Sequence, residues 1–123
     1  ADDGGKIAET LLDRCDKRGI SVVLTTGGTG IGPRDVTPEA TKRVLEKELA
    51  GVTELMRREG LKYTRMAALS RALAGIRGNS LIVNLPGSPQ GACQSLEAVI
   101  DLVAHVMAML RGEGHENKIG GAP

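Results

Sequence analysis

Phenylalanine and tryptophan are absent from the 123 residues and Tyr63 is the only aromatic, so the chain has no ring platform on which to stack a nucleobase. Its two cysteines, Cys15 and Cys93, stand far apart on helix-like segments. That pattern fits a buried reduced pair of small apolar residues better than a disulfide or a metal site. Histidine is equally scarce: His105 has no partner histidine at helical spacing and reads as a surface residue, and His115 lies near the C-terminal end. No Ser-His-Asp set can be assembled from them, which excludes hydrolysis by a triad. No apolar run approaches the roughly 20 residues of a membrane span and no charged-then-apolar leader opens the chain, so neither membrane insertion nor secretion is expected, and the cytoplasm is. Charge is balanced, with 16 Lys and Arg against 15 Asp and Glu for a net +1, and gives no basic field to hold nucleic acid. No internal repeat is visible, and the length suits one domain with a single core.

What the chain does have is glycine, concentrated after a short apolar run. Val22, Val23 and Leu24 are long enough for a buried strand and too short for a buried helix. Gly27, Gly28, Gly30 and Gly32 follow, allowing positive φ and close approach of backbone to a ligand. Then come Asp35 and a helix start at Thr37-Pro38-Glu39, read as a hydroxyl cap, a proline at the first helical position and an acid in the first turn. Strand, glycine loop, carboxylate and helix stand in the order a phosphate site needs, although glycine-rich turns also end strands that bind nothing. The loop is neither of two familiar kinds. Pro33-Arg34 stands where a P-loop requires Lys-Ser/Thr, and the third glycine comes one residue early for a dinucleotide fingerprint.

Thr25-Thr-Gly-Gly-Thr-Gly30, Pro33-Arg-Asp-Val-Thr-Pro-Glu-Ala40, Leu69-Ser-Arg71, Ala74-Gly-Ile-Arg-Gly78 and Asn84-Leu-Pro-Gly-Ser-Pro89, in that order, resemble the molybdenum-cofactor biosynthesis family. The nearest match is its molybdopterin adenylyltransferases, meaning the bacterial Mog proteins and the G domains of plant and animal proteins such as gephyrin. The resemblance covers roughly residues 1–111, which it implies are a molybdopterin-binding domain. It implies a three-layer α/β/α fold with a mainly parallel sheet, and transfer of AMP from Mg-ATP to molybdopterin with release of pyrophosphate. ATP and molybdopterin would be the substrates and Mg²⁺ the cofactor. Family match makes Asp35 a catalytic or Mg²⁺-linked acid with Asp2 as its partner, Asp3 being the alternative to Asp2. It places Thr26, Gly27, Gly28, Thr29 and Gly30, Ser70, and Pro86, Gly87 and Ser88 in the substrate pocket. An adenine there would rest on aliphatic side chains and backbone. A homotrimer and a downstream metal-insertion protein are implied as partners. A binding-only relative and a gephyrin-like scaffold module are the competing readings. Family members ordinarily carry a further strand before the point where this sequence begins, so the usual first strand is expected to be lacking, and residues 112–123 are expected to be a flexible tail.

Periodicity supplies the remaining elements. Ile7, Ala8, Leu11, Leu12 and Cys15 describe one face of a helix over 6–18, stopped by Gly19. A second helix is expected over 38–49, with Ala40, Val44 and Leu45 inward and its charges solvated. Short helices are expected over 52–59 and 66–73, a turn over 75–78, a strand buried on both faces over 81–85, and a long helix over 91–111. The inward stripe of that last helix is read as Ala92, Leu96, Val99, Ile100, Val103, Val106, Met107 and Leu110. If the strands at 21–26 and 81–85 are parallel, the Gly loop and the Pro86-Gly87-Ser88 turn leave the same edge of the sheet.

Overall fold

A computed structural model describes residues 3–112. Leu81, Ile82 and Val83 sit at the centre of β4 (Ser80–Leu85), every residue of which is buried. Val22, Val23 and Leu24 open β1 (Val22–Thr26), which runs parallel to β4 in a register from Val22 opposite Leu81 to Thr26 opposite Leu85. On the other flank of β4, β3 (Ala74–Arg77) is antiparallel to it, joined by a two-residue hairpin in which Gly78 supplies a φ of +58°. A two-residue strand, β2 (Lys47–Glu48), pairs antiparallel with β3. The order β1-β4-β3-β2 with helices on both sides is an α/β layering, and the sheet is mixed, with parallel pairing confined to β1 and β4.

Alternation along β4 sorts the layers. Leu81, Val83 and Leu85, with Ala74 and Ile76 of β3, meet Met56 of α3 (Ala50–Gly60) and Val99 of α4 (Pro89–Leu110). Ile82 meets Leu11 of α1 (Asp3–Leu12), Cys15, and Val44 of α2 (Thr37–Val44) on the opposite face. Each such fully buried aliphatic side chain contributes about 1.5–3 kcal/mol.

Several elements depart from their expected form for tertiary reasons. The first helix starts at Asp3 and changes at Asp13–Lys17 into a π-helical turn, and Gly19 with φ +63° ends it. The second stops at Val44, whose carbonyl accepts from Arg77 Nη1 at 3.1 Å, and the chain turns out to pair, the Glu46 and Leu49 amides donating to the Ile76 and Ala74 carbonyls at 2.8 Å. Thr37 is the first helical residue rather than the cap; Val36 holds the cap position without a side-chain bond. The expected helix over 66–73 is a 3₁₀ turn (Arg65–Leu69) followed by extended chain, and the expected turn over 75–78 is mostly strand β3. β1 lies at the edge of the described sheet with Leu24 41% exposed, so it is not covered on both faces. Cys15 is buried but Cys93 is exposed, and both are free.

Helix α4 corrects two readings. Ile100 is 53% exposed, and Leu102 packs against the core instead. The helix is also long and apolar enough, by length and composition, to cross a membrane, with a mean hydropathy of 1.4 in its 18-residue window. Leu96, Val99, Val103, Val106 and Met107 pack against the core beside the sheet, while only 11% of that window is buried. The tail expected over 112–123 lies, from residue 113 on, outside the described residues.

Asp16, in the π-helical turn, accepts from Arg77 Nη2 at 2.9 Å and Nε at 3.0 Å, and this hydrogen bonding holds its carboxyl below the usual carboxylate range. A depressed carboxylate adds stability that is present above its unfolded pKa and lost as pH falls through the folded one. Asp16→Asn should therefore lower the Tm at neutral pH and converge with the parent protein in acid below the carboxylate range. Thermal melts across pH check this, and an offset that stays constant down to that acid limit would contradict it.

Candidate substrate cleft

At the end of β1 the Gly27 amide donates to the Leu85 carbonyl at 2.9 Å, tying the glycine loop to the end of β4. Gly27 and Gly28 have φ of +88° and +71°, and a Cβ on Gly28 would lie 2.3 Å from Thr37 Oγ1, so the loop folds back on α2 only as glycine. Gly87 approaches Gly27 backbone to backbone, a Cβ on it falling 3.3 Å from the Gly27 Cα. Two loops thus leave the carboxyl ends of neighbouring parallel strands, where open α/β sheets bind ligands. The cleft they border has a volume of about 490 Å³. The N-terminus of α4 opens on it through Gly91, Gln94 and Ser95. Ser88 caps that helix, its Oγ accepting from the Gly91 amide at 3.1 Å, and the positive end of the helix dipole favours an anion in front of it.

Of the residues singled out by sequence, Thr29, Gly30, Asp35, Ser70, Pro86, Gly87 and Ser88 line this cleft. Gly27 and Gly28 support the loop without lining the cleft. Thr26 does not line it either: it borders a separate hollow of about 430 Å³ beside α1, with Lys6, Thr10 and Arg14. Asp2 lies outside the described residues. Asp3, its alternative, opens α1 beside Pro33, Arg34 and Arg43, in a hollow distinct from the cleft. Asp35 is therefore the one carboxylate of the proposed pair that reaches the cleft among the described residues, where no group of three or more His, Cys, Asp or Glu is arranged for a metal.

Asp35 is held by the loop it follows. Its Oδ2 accepts from the Gly32 amide at 2.9 Å, and its own amide donates to the Gly32 carbonyl at 3.1 Å. A Cβ on Gly30 or Gly32 would come within 2.9 or 3.0 Å of that Oδ2, so both glycines make room for the carboxylate. Oδ1 has no partner among the described residues. A positioned carboxylate with one free oxygen, on a cleft that the N-terminus of α4 also lines, has the donor chemistry of a Mg²⁺ ligand, an ion commonly bound through one or two carboxylates and the phosphates of a substrate.

The sequence reading gave no role to two groups found here, an aliphatic wall and an arginine. Ile31, Met66 and Leu69 line the cleft while 72%, 66% and 47% exposed, an aliphatic wall in a chain without rings. Arg71 reaches the Gly30 carbonyl from Nε at 2.8 Å and the Asp35 carbonyl from Nη2 at 2.7 Å, and its guanidinium pairs with Glu39. That pairing holds the Glu39 carboxyl below the usual range. Ile31, an apolar residue between Gly30 and Gly32, was a usable signal for the wall, whereas Met66 and Leu69 lie far from the loop in sequence.

Fold and cleft together define the class: an α/β domain whose glycine loop, carboxylate and helix terminus face one small-molecule cleft. The chain belongs to the probable molybdopterin binding domain family (MoCF_biosynth), whose profile matches residues 1–105. It is 47% identical over 112 residues to the molybdopterin adenylyltransferase of Helicobacter pylori strain J99, covering 91% of this chain and 64% of that protein. It thus spans less than two thirds of that relative's length. Over 104 residues it is 44% identical to the molybdenum cofactor synthesis protein cinnamon of Drosophila melanogaster, covering 85% of this chain and 17% of the fly protein. Among solved structures, the molybdopterin biosynthesis enzyme MoaB of Thermus thermophilus superimposes with a TM-score of 0.83 at 50% identity, over 89% of this chain and 69% of that one.

Proposed function

We propose that the domain serves molybdopterin adenylyl transfer. An oxygen of the terminal phosphate of molybdopterin attacks the α-phosphorus of ATP, the bond from that phosphorus to the β-bridging oxygen breaks, and pyrophosphate leaves with the electron pair. The observation that carries this reading is the partner-free Asp35 Oδ1 on a cleft faced by the α4 N-terminus. Catalysis of this kind rests on positioning and charge neutralisation rather than on a nucleophilic side chain. The loop amides around Thr29 and Gly30 and the N-terminus of α4 suit phosphate oxygens. Ser70 lies on the wall suited to the pterin, and Ile31, Met66 and Leu69 give a purine the aliphatic surface it needs. Mg²⁺, held by Asp35 and the substrate phosphates, would supply charge neutralisation at the leaving pyrophosphate.

The test is incubation of the purified protein with molybdopterin and Mg-ATP, followed by chromatography for adenylylated pterin and pyrophosphate. Stoichiometric formation of both supports the proposal. Tight molybdopterin binding with no ATP consumed favours the binding-only reading, and neither binding nor turnover leaves a scaffold module. The proposal includes a cytoplasmic homotrimer handing its product to a metal-insertion protein. Ile100 and Met109, exposed on α4, are candidates for cover between subunits, and light scattering of the same sample reads the mass.

A further inference from the structure

We infer that Arg71 is the positioning residue of the cleft, a clamp that fixes the glycine loop and Asp35 against the wall carrying Ser70. The inference rests on the adenylyl-transfer reading only for its kinetic consequence.

Arg71 meets the loop at three points. Its backbone amide donates to the Thr29 carbonyl at 2.8 Å, Nε to the Gly30 carbonyl at 2.8 Å and Nη2 to the Asp35 carbonyl at 2.7 Å. Its guanidinium also pairs with Glu39 of α2, the helix that the loop feeds. Among the described residues no other side chain from outside the loop donates to a carbonyl between Thr29 and Asp35. Of the loop's remaining bonds, Gly32 to Asp35 and Thr37 to Gly28 are local and Gly27 to Leu85 ties only the base of the loop to β4, so none of them holds the stretch from Thr29 to Asp35 against the Ser70 wall. Arg71 follows directly on Ser70, whose carbonyl accepts from Arg57 Nη1 at 3.2 Å and whose Oγ accepts from the Ala72 amide at 3.2 Å. One residue therefore joins two walls of the cleft.

The chemistry requires arginine. A planar guanidinium delivers donors in fixed divergent directions, whereas an ammonium is a point charge on a flexible stem and cannot span both carbonyls and the carboxylate. The ion pair alone would be a weak reason for the residue, since the Arg71 and Glu39 side chains are 36% and 54% exposed. The two carbonyl contacts, each a charge-assisted hydrogen bond to backbone, carry the clamp.

Arg71→Ala and Arg71→Lys, compared with Glu39→Gln, test this. Hydrogen exchange by mass spectrometry should rise at least about tenfold in peptides across 28–35 of both Arg71 variants while β4 peptides stay protected, because the loop opens locally. In the transfer assay kcat should fall about thirty- to a hundredfold in Arg71→Ala with KM changed less, the loss expected when reacting groups are displaced by about 1 Å. Added guanidinium at millimolar concentration should recover part of that kcat, and Glu39→Gln should show under about a fivefold effect because the carbonyl contacts remain. Wild-type exchange in Arg71→Ala, or full exchange protection and turnover in Arg71→Lys, would overturn the clamp. If the alanine chain does not fold, the lysine variant decides by the same criteria. If the parent protein makes no adenylylated product, the function proposal fails, and the exchange measurement still decides the clamp.

Discussion

Asp35→Asn should lower adenylyl transfer at least about a hundredfold while molybdopterin binding changes little, the scale of loss seen when a positioned charge stabiliser is removed. The substitution isolates charge from shape. An asparagine Oδ1 can still accept from the Gly32 amide that now holds the carboxylate at 2.9 Å, so the loop keeps its form. What disappears is the negative charge on the cleft, where the free oxygen would meet Mg²⁺ and phosphate. An unaltered melting temperature with lost turnover is the full expected result. Unchanged turnover would remove Asp35 from the mechanism.

Asn84→Ala should destabilise the fold by about 3 kcal/mol and lower the Tm by more than about 10 °C, more than any surface substitution. Asn84 is 0% exposed on β4, and its amide is fully engaged: Nδ2 donates to Thr25 Oγ1 at 2.9 Å and Thr41 Oγ1 at 3.0 Å, and Oδ1 accepts from the Leu73 amide at 3.0 Å. Alanine would leave the Leu73 amide without its acceptor and the Thr25 and Thr41 hydroxyls without their donor, and open a cavity at a fully buried position. Chemical denaturation gives the number directly, and a loss under about 1 kcal/mol would mean that solvent or repacking replaces the network. The partners make this more than a core effect. Thr25 precedes the glycine loop, Thr41 lies on α2 and Leu73 follows Arg71, so one side chain sets the three segments that frame the cleft.

Legibility from sequence followed the range of the interactions. The glycine loop, Asp35, and the Pro86-Gly87-Ser88 turn declared themselves because positive φ and helix capping are local matters, written in the residue types at those positions. β1, β4 and α4 were legible because a short apolar run and a 3.6-residue stripe reflect burial directly. β3 was misread because Gly75 looks like punctuation. It is glycine for a distant reason: a Cβ there would lie 2.3 Å from the Lys47 carbonyl oxygen of the next strand. β2 has two residues and no pattern to find. The role of Arg71 was hidden in the same way, since its carbonyl partners at Asp35 and Gly30 are 36 and 41 residues away and carry no residue-type signature.

The lack of rings has a practical side. Tyr63, 63% exposed, adjoins Thr64 on the cleft wall and is the chain's single aromatic. The protein is consequently almost dark in the near ultraviolet, and concentrations taken from its absorbance rest on one phenol. The absorption of an added pterin can be read against that dark background without subtraction of a tryptophan band. The lone tyrosine stands one residue from the wall, so its emission during a titration is a dye-free test of whether the cleft fills.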